Sequence, residues 1–85
     1  MRVRVLYFAR LREAIGHEGE AVDLPANVRS VGDLREWLIA RGAPWSGAFG
    51  ETSRLRVAVD RDMARDETPL AEGAEVAFFP PVTGG

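Results

Sequence analysis

The chain opens with an alternation of apolar and polar residues that is typical of a half-buried β-strand. Over residues 2–8, the alternation places on the core-facing side Val3, Val5 and Tyr7. The opposite side carries Arg2, Arg4, Leu6 and Phe8. A second alternation runs over residues 20–24, and the short helical pattern of residues 9–15 between the two is too brief for a parallel crossover. The first two strands are therefore predicted to pair antiparallel.

The longest helical pattern begins after Ser30. Ser30 and Asp33 have the spacing of a capping box, in which each side chain bonds to a backbone N–H of the other residue. The apolar positions that follow recur every three or four residues, as in the core-facing stripe of a helix: Val31, Leu34 and Leu38, with Trp37 beside the stripe. The helix is predicted to end at Gly42. Residues 43–53 are predicted to form a loop or a broken helix, held by two aromatic side chains, Trp45 and Phe49.

Two further strands are predicted, over residues 54–60 and 75–79. The charged segment between them, residues 60–67, lacks the fifth-position oxygen ligand and the sixth-position glycine of a calcium loop, which favours a turn and a short edge strand. The order of elements predicts an α+β domain over residues 1–79. In it, one main helix packs on a mixed sheet of four or five strands, with a short helix after the first strand.

A six-residue tail follows the last predicted strand: Pro80, Pro81, Val82, Thr83, Gly84 and Gly85. The two prolines fix φ and lack N–H donors, so the chain is predicted to leave the sheet stiff and extended. The two glycines have no side-chain bulk, so the end of the tail fits a narrow channel. The tail spans about 20 Å when extended, which is enough to enter a partner's active site. A frayed terminus without function is the alternative.

Composition and charge exclude several classes of function. The formal net charge of −2 argues against a nucleic-acid binder that relies on bulk positive charge, although all 11 basic residues are arginine. With 0 cysteines the chain has no disulfide, thiolate metal site or cysteine nucleophile, and one histidine, His17, does not make a metal site. No targeting or membrane segment is evident, so a cytoplasmic protein is expected.

Two stretches of sequence carry a resemblance to a known family. Residues 5–13 read VLYFARLRE and residues 75–85 read EVAFFPPVTGG. Together with the predicted elements between them, they resemble the small, ubiquitin-like β-grasp subunit of molybdopterin synthase, one of the C-terminal Gly-Gly sulfur carriers. The second stretch favours the molybdopterin branch over the thiazole-forming carriers.

The resemblance implies a cycle of reactions at the carboxylate of Gly85. An E1-like adenylating enzyme uses ATP to activate this carboxylate, a sulfur donor protein converts it to a thiocarboxylate, and the chain itself binds no cofactor or metal. The tail, Pro80 to Gly84, then threads into the large subunit of a heterotetrameric synthase. There the sulfur passes to cyclic pyranopterin monophosphate to form the dithiolene of molybdopterin. The chain has no active site of its own, and neither nucleic acid nor membrane is an expected partner.

A partner-binding surface is also predicted. Strand parity places Phe8 and Phe79 on the sheet face away from the main helix, and Met63 lies in the adjoining edge turn. These positions match the surface that the family presents to its large subunit. Two alternatives stay open: a Gly-Gly carrier for tRNA thiolation or thiamine synthesis that is also conjugated to target lysines, and a binding module with an inert tail.

Overall fold

The protein is described by a computed structural model, which covers residues 1–51 and 55–81. Its elements in chain order are β1 (Arg2–Tyr7), α1 (Ala9–Ile15), β2 (Gly19–Asp23), α2 (Val31–Ile39), α3 (Trp45–Glu51), β3 (Arg56–Val59), β4 (Asp62–Met63) and β5 (Glu75–Phe79). In the described part of the chain, the strands form one five-stranded sheet in the order β2-β1-β5-β3-β4.

The two central strands, β1 and β5, run parallel, and their register pairs Val5 with Val76 and Tyr7 with Phe78. The other neighbouring strands are antiparallel: β1 with β2, β3 with β5 and β3 with β4. The predicted mixed sheet and the predicted antiparallel pairing of the first two strands are therefore both confirmed. The first and last strands of the domain share the middle of the sheet.

The core lies between one face of the sheet and the helices. The predicted inward side of β1 is buried, and so are Val76 and Phe78 of β5. From α2 the buried side chains are Val31, Leu34 and Leu38. Within residues 1–51 and 55–81, the buried core contains apolar side chains and the tyrosine ring of Tyr7. The alternation of β1 and the stripe of α2 thus predicted the core correctly, and Trp37, which was predicted beside the stripe, is partly buried at the margin of the core.

The predicted capping box at the start of α2 is present. The Asp33 N–H donates to the Ser30 hydroxyl over 3.2 Å, and the Ser30 N–H donates to the Asp33 carboxylate over 3.3 Å. The Arg29 N–H donates to the same carboxylate over 3.1 Å, and this bond is the main cause that holds the pKa of Asp33 below its usual value. Backbone N–H groups at the start of α2 are therefore bonded by the side chains of Ser30 and Asp33.

The structure differs from the sequence predictions in four places. Helix α2 ends at Ile39, before the predicted end at Gly42. Residues 45–51 of the predicted loop or broken helix form α3, whose Phe49 is buried with its ring edge-to-face on Phe78, 5.3 Å between centroids. The burial of Phe49 against Phe78 of the sheet explains why a segment with two glycines is helical. The strands are also shifted or shorter: β2 begins and ends one residue earlier, and β3 covers Arg56–Val59, with residues 52–54 outside the described residues.

The junction between β1 and α1 has an unusual backbone. Phe8 is the N-cap of α1 and its side chain makes no capping hydrogen bond. The next residue, Ala9, has φ of 54°, in the left-handed region where a Cβ is disfavoured. At the other end, Gly16 has φ of 95° and its N–H donates to the Arg12 carbonyl over 2.9 Å. The left-handed position at the end of α1 is therefore occupied by glycine, the residue that this backbone favours, whereas the left-handed position at its start is occupied by alanine.

We predict opposite effects for two substitutions around α1. Ala9→Gly relieves the left-handed alanine, whose side chain is exposed, and should raise the free energy of unfolding by about 0.5–1 kcal/mol. Gly16→Ala places a Cβ on a left-handed residue and should lower it by about 1 kcal/mol, although nothing lies within 4 Å of the added atom. Urea titration of both variants measures these differences, and a loss of stability in Ala9→Gly would contradict the assigned strain.

Candidate functional site

The sheet face opposite the helices carries a continuous band of apolar and small side chains. Since Val5 and Tyr7 of β1 are buried against the helices, Leu6 lies on the opposite face, which we call the open face. Leu6 pairs with Ala77 of β5, Ala77 with Ala58 of β3, and Ala58 with Met63 of β4. The pairing therefore sets these four residues side by side across four strands.

The three predicted contact residues lie at the margins of this band, with different exposures. Phe8 is 47% exposed and Met63 is 60% exposed. Phe79 is partly buried and pairs with Arg56 of β3. The predicted patch is thus strongly exposed at Phe8 and Met63 and less so at Phe79, and its role in partner binding stays a prediction. We call the band and its margins the open-face patch: Leu6, Phe8, Ala58, Met63, Ala77 and Phe79.

The tail begins beside this patch. Phe78 is fully buried, and its carbonyl accepts a hydrogen bond of 3.2 Å from the Phe8 N–H. Pro80 and Pro81 follow β5 without strand pairing and are partly buried. The remaining predicted site residues, Val82, Thr83, Gly84 and Gly85, lie outside the described residues. The part of the site that the structure describes is therefore the root of the tail, fixed to the end of β1.

A polar network lies behind the root of the tail, on the helix side of the sheet. The Tyr7 hydroxyl donates to the Glu20 carboxylate over 2.7 Å and accepts a bond of 3.1 Å from the Trp45 indole N–H. Arg41 donates to both carboxylate oxygens of Glu20, each over 3.1 Å. Such a two-bond pairing is among the strongest that side chains form. The network joins β1 and β2 to the connection between α2 and α3, which carries Arg41, and to the first residue of α3, Trp45.

The surroundings of the network shift the pKa values of its two acids in opposite directions. Burial, and next the hydrogen bond to Glu20, raise the pKa of Tyr7 above its usual value, so the hydroxyl remains a donor at neutral pH. For Glu20, burial favours the neutral form, but the hydrogen bonds from Arg41 and Tyr7 and the charge of Arg41 outweigh burial and lower its pKa. Glu20 is therefore ionised at neutral pH, with its charge matched by Arg41.

Arg41 also stacks on aromatic rings. Its guanidinium carbon lies 3.9 Å from the centroid of the Trp45 ring and 5.4 Å from that of Trp37. The sequence analysis did not find this network, although one signal was present. Glu20 shares strand parity with Val22, which is buried, so its carboxylate had to face the core side and required a partner. Arg41 is that partner, and the rings of Trp37 and Trp45 hold its guanidinium in place.

The remaining candidate chemistry is sparse. His17 is exposed, and its ring meets the Tyr7 ring edge-on with 5.7 Å between centroids. Among residues 1–51 and 55–81, no group of three acidic or histidine side chains is placed to hold a metal ion. The same residues include no helix long and apolar enough to cross a membrane.

The fold and the tail define a class of protein: small mixed-sheet domains whose last strand continues into a C-terminal extension ending in Gly-Gly. The chain belongs to the ThiS family, whose model matches residues 5–85. A relative from Escherichia coli, the molybdopterin synthase sulfur carrier subunit, is 40% identical over 98% of this chain and 99% of its own length. The resemblance recognised from the two terminal stretches is therefore confirmed.

Solved structures agree on the fold. SAMP1 from Haloferax volcanii superposes with a TM-score of 0.78 at 26% identity, covering 100% of both chains. A chain of the complex of subunits 1 and 2 of the molybdopterin-converting factor from Helicobacter pylori superposes with a TM-score of 0.68 at 23% identity, again covering 100% of both. The second likeness is one of fold alone. The predicted ubiquitin-like β-grasp fold is confirmed.

We predict that the network stabilises the domain through ionised Glu20. Because the pKa of Glu20 is lowered on folding, its contribution is present above the ordinary value of 4.5 and is lost as the pH falls through the lower folded value. Glu20→Gln should therefore lower the free energy of unfolding by about 1–3 kcal/mol at pH 7 and by much less near pH 3. Urea titrations at both pH values measure the difference.

Asp23→Asn is the matched control, on the same strand. Asp23 is exposed and forms only a 3.5 Å surface pair with Arg2, so its removal should change stability by less than about 0.5 kcal/mol. If Glu20→Gln is as mild as this control at pH 7, the network does not stabilise the fold.

Proposed function

We propose that this chain is the sulfur-carrying small subunit of a molybdopterin synthase. The observation that carries the proposal is the full-length similarity, at 40% identity, to a relative with that name. In the proposed cycle an E1-like enzyme transfers AMP from ATP to the Gly85 carboxylate and releases pyrophosphate. A sulfur donor protein then displaces AMP, which leaves a thiocarboxylate. The large subunit receives one sulfur from each of two such carriers, and the two sulfurs form the dithiolene on cyclic pyranopterin monophosphate.

The chemistry of the chain supports this role. A carboxylate is a poor electrophile until it carries a leaving group such as AMP, whereas a thiocarboxylate is ionised and nucleophilic at neutral pH. With 0 cysteines, the chain has no other group suited to carry transferable sulfur. The chain supplies the reactant, and the pocket and the acid and base groups come from the partners. In this proposal, the adenylation and the sulfur transfer occur in the cytoplasm, where ATP and the adenylating enzyme are present.

The large subunit is proposed to dock on the open-face patch. The patch is an apolar row that extends across four strands, and it borders the root of the tail. An interface placed there holds the tail directly over the partner. The structural neighbour from Helicobacter pylori, described as a complex of subunits 1 and 2, supports a partner of this kind. The E1-like enzyme and the sulfur donor act on the same tail.

A second candidate is a carrier for another sulfur pathway or a protein modifier. The fold likeness to SAMP1, also described as a small archaeal modifier protein, favours this alternative. All 11 basic residues are arginine, so a chain activated at Gly85 has no lysine side chain of its own or of a sister copy to attack it. Intact-mass analysis for conjugates of the activated chain with lysine-bearing proteins separates this candidate from the first.

We predict that the last residue is the reactive one. Deletion of Gly85 should abolish sulfur loading, because the new carboxylate stops about 3.5 Å short of the reacting phosphate, and a displacement of even about 1 Å costs roughly a hundredfold in rate. Gly84→Val retains tail length and adds a branched side chain, so docking through the domain should persist while turnover falls. The measurement is intact mass after incubation with ATP, the adenylating enzyme and a sulfur source. Full loading of the deletion variant would overturn the proposed function.

We also predict that charge on the patch weakens docking. Phe79→Arg should lower affinity for the large subunit about tenfold or more, because the guanidinium would be buried in an apolar interface. Stability should change little, since the Phe79 ring lies on the open face. Ala71→Arg, at an exposed turn near the opposite end of β5, is the control and should bind normally. Equal affinities in a titration of the two variants would place the interface elsewhere.

A further inference from the structure

The side chains of this protein include neither an ε-amine nor a thiol. All 11 basic residues are arginine, and the chain has 0 cysteines. Lysine amines and cysteine thiols are the side-chain groups that attack an activated carboxyl carbon most readily. A guanidinium stays protonated and delocalised at neutral pH, so it is no nucleophile there, whereas a lysine amine is one in its unprotonated fraction.

The contacts of the fold explain arginine at some of these positions and not at others. Arg41 forms two bonds to Glu20 and lies 3.9 Å from the centroid of the Trp45 ring, and both contacts use the planar guanidinium. Among residues 1–51 and 55–81, the ion pairs involve neither Arg10 nor Arg56, whose side chains are exposed. At these two positions the fold would accept lysine equally well.

Both of these arginines lie close to the root of the tail. Arg56 of β3 pairs with Phe79, the last residue of β5, and neighbouring strands are about 4.8 Å apart. Arg10 comes two residues after Phe8, whose N–H donates to the Phe78 carbonyl over 3.2 Å. The tail spans about 20 Å, so it is long enough to fold back to either position. A lysine there would meet the activated end of the tail at a high effective concentration.

The start of the chain lies at the other end of the sheet. The α-amino group of Met1 donates to the Leu24 carbonyl over 3.3 Å. Because β1 and β5 run parallel, the start of β1 is remote from the end of β5, where the tail begins. Arg2 comes five residues before Tyr7, a distance of about 17 Å along the strand. This end of the sheet is therefore at the limit of the tail's reach.

We infer that arginine at Arg10 and Arg56 protects the activated C-terminus from attack by its own chain, so that the acceptor must come from a partner. This inference rests on the proposed function, because adenylation is what makes the Gly85 carbonyl electrophilic. With lysine at either position, the amine nitrogen would attack the Gly85 carbonyl carbon. A C–N bond would form, the C–O bond to AMP would break, AMP would leave, and a proton would pass to water.

The product of that attack would be an internal isopeptide. Its carboxyl group is no longer free, so the chain could be neither adenylated nor loaded with sulfur again. At neutral pH roughly one lysine amine in a few thousand is unprotonated. An intramolecular reaction outweighs this small fraction, because effective molarities reach about 10⁵ M in well-oriented cases. The specificity of the carrier for an external acceptor thus depends on the type of its basic residues.

The first experiment tests the geometry without any enzyme. The full chain is prepared with a thioester at Gly85 by intein cleavage, as wild type, Arg10→Lys, Arg56→Lys and Arg2→Lys. The first two lysine variants should form a product lighter than the hydrolysed chain by one water, about tenfold or more faster than Arg2→Lys, because a linker that barely spans its sites gives a low effective concentration. The wild type should only hydrolyse. Intact mass over time measures this, and equally long-lived thioesters in all four chains would overturn the inference.

The second experiment tests the consequence for sulfur loading. Each chain is incubated with ATP, the adenylating enzyme and a sulfur source, and the products are normalised to the pyrophosphate released. Arg10→Lys and Arg56→Lys should accumulate the internal isopeptide at the expense of the thiocarboxylate, whereas Arg2→Lys should load like the wild type. Thermal unfolding should be the same for all four chains, because the substituted side chains are exposed.

The two experiments separate the inference from the proposed function. Full thiocarboxylate yield in Arg10→Lys and Arg56→Lys would overturn the inference, even if their thioesters cyclise, and would leave the proposed function intact. A wild-type chain that releases no pyrophosphate and gains no sulfur would instead remove the proposed function, and the inference with it.

Discussion

The parallel pairing of β1 with β5 is the contact on which the rest of the structure depends. It joins the two ends of the domain in the middle of the sheet, with Tyr7 beside Phe78. The flanking strands pair on the outer sides of these two, and the helices cover the face that they bury. Because the pairing closes a loop of nearly the whole chain, its entropy cost is recovered only when the core forms as a unit. The root of the tail follows β5 directly and is therefore attached to this core.

The two faces of the sheet near the tail have different tasks. On the helix side, Tyr7, Glu20 and Arg41 form a network that fixes the end of β1 through matched charge and short hydrogen bonds. The charged side chain of Glu20 also faces inward from β2, an edge strand of the sheet. An inward-facing charge discourages the edge from pairing with a strand of another chain. On the open face, apolar side chains remain uncovered. Rigid support behind an exposed apolar surface suits a domain that must present a tail to partners.

The division of labour between domain and tail explains why the described structure contains so little that resembles catalytic machinery. In the proposed function the carrier fits several partners in turn, and the chemistry of activation and transfer lies in those partners. What the carrier controls is where its carboxylate stands relative to the docking surface. The backbone bond between Phe8 and Phe78 links the two directly.

The sequence by itself determined the elements whose signals are local. The alternation of β1, the capping box of Ser30 and Asp33, and the terminal Gly-Gly are readable because period, cap and chain end need no distant partner. Tertiary structure decided the rest. Helix α3 is stabilised by the packing of Phe49 on Phe78. Phe79 is partly buried, and Arg41 binds Glu20 across 21 positions of sequence. Such contacts depend on which strands become neighbours, and that arrangement is fixed only when the whole core packs.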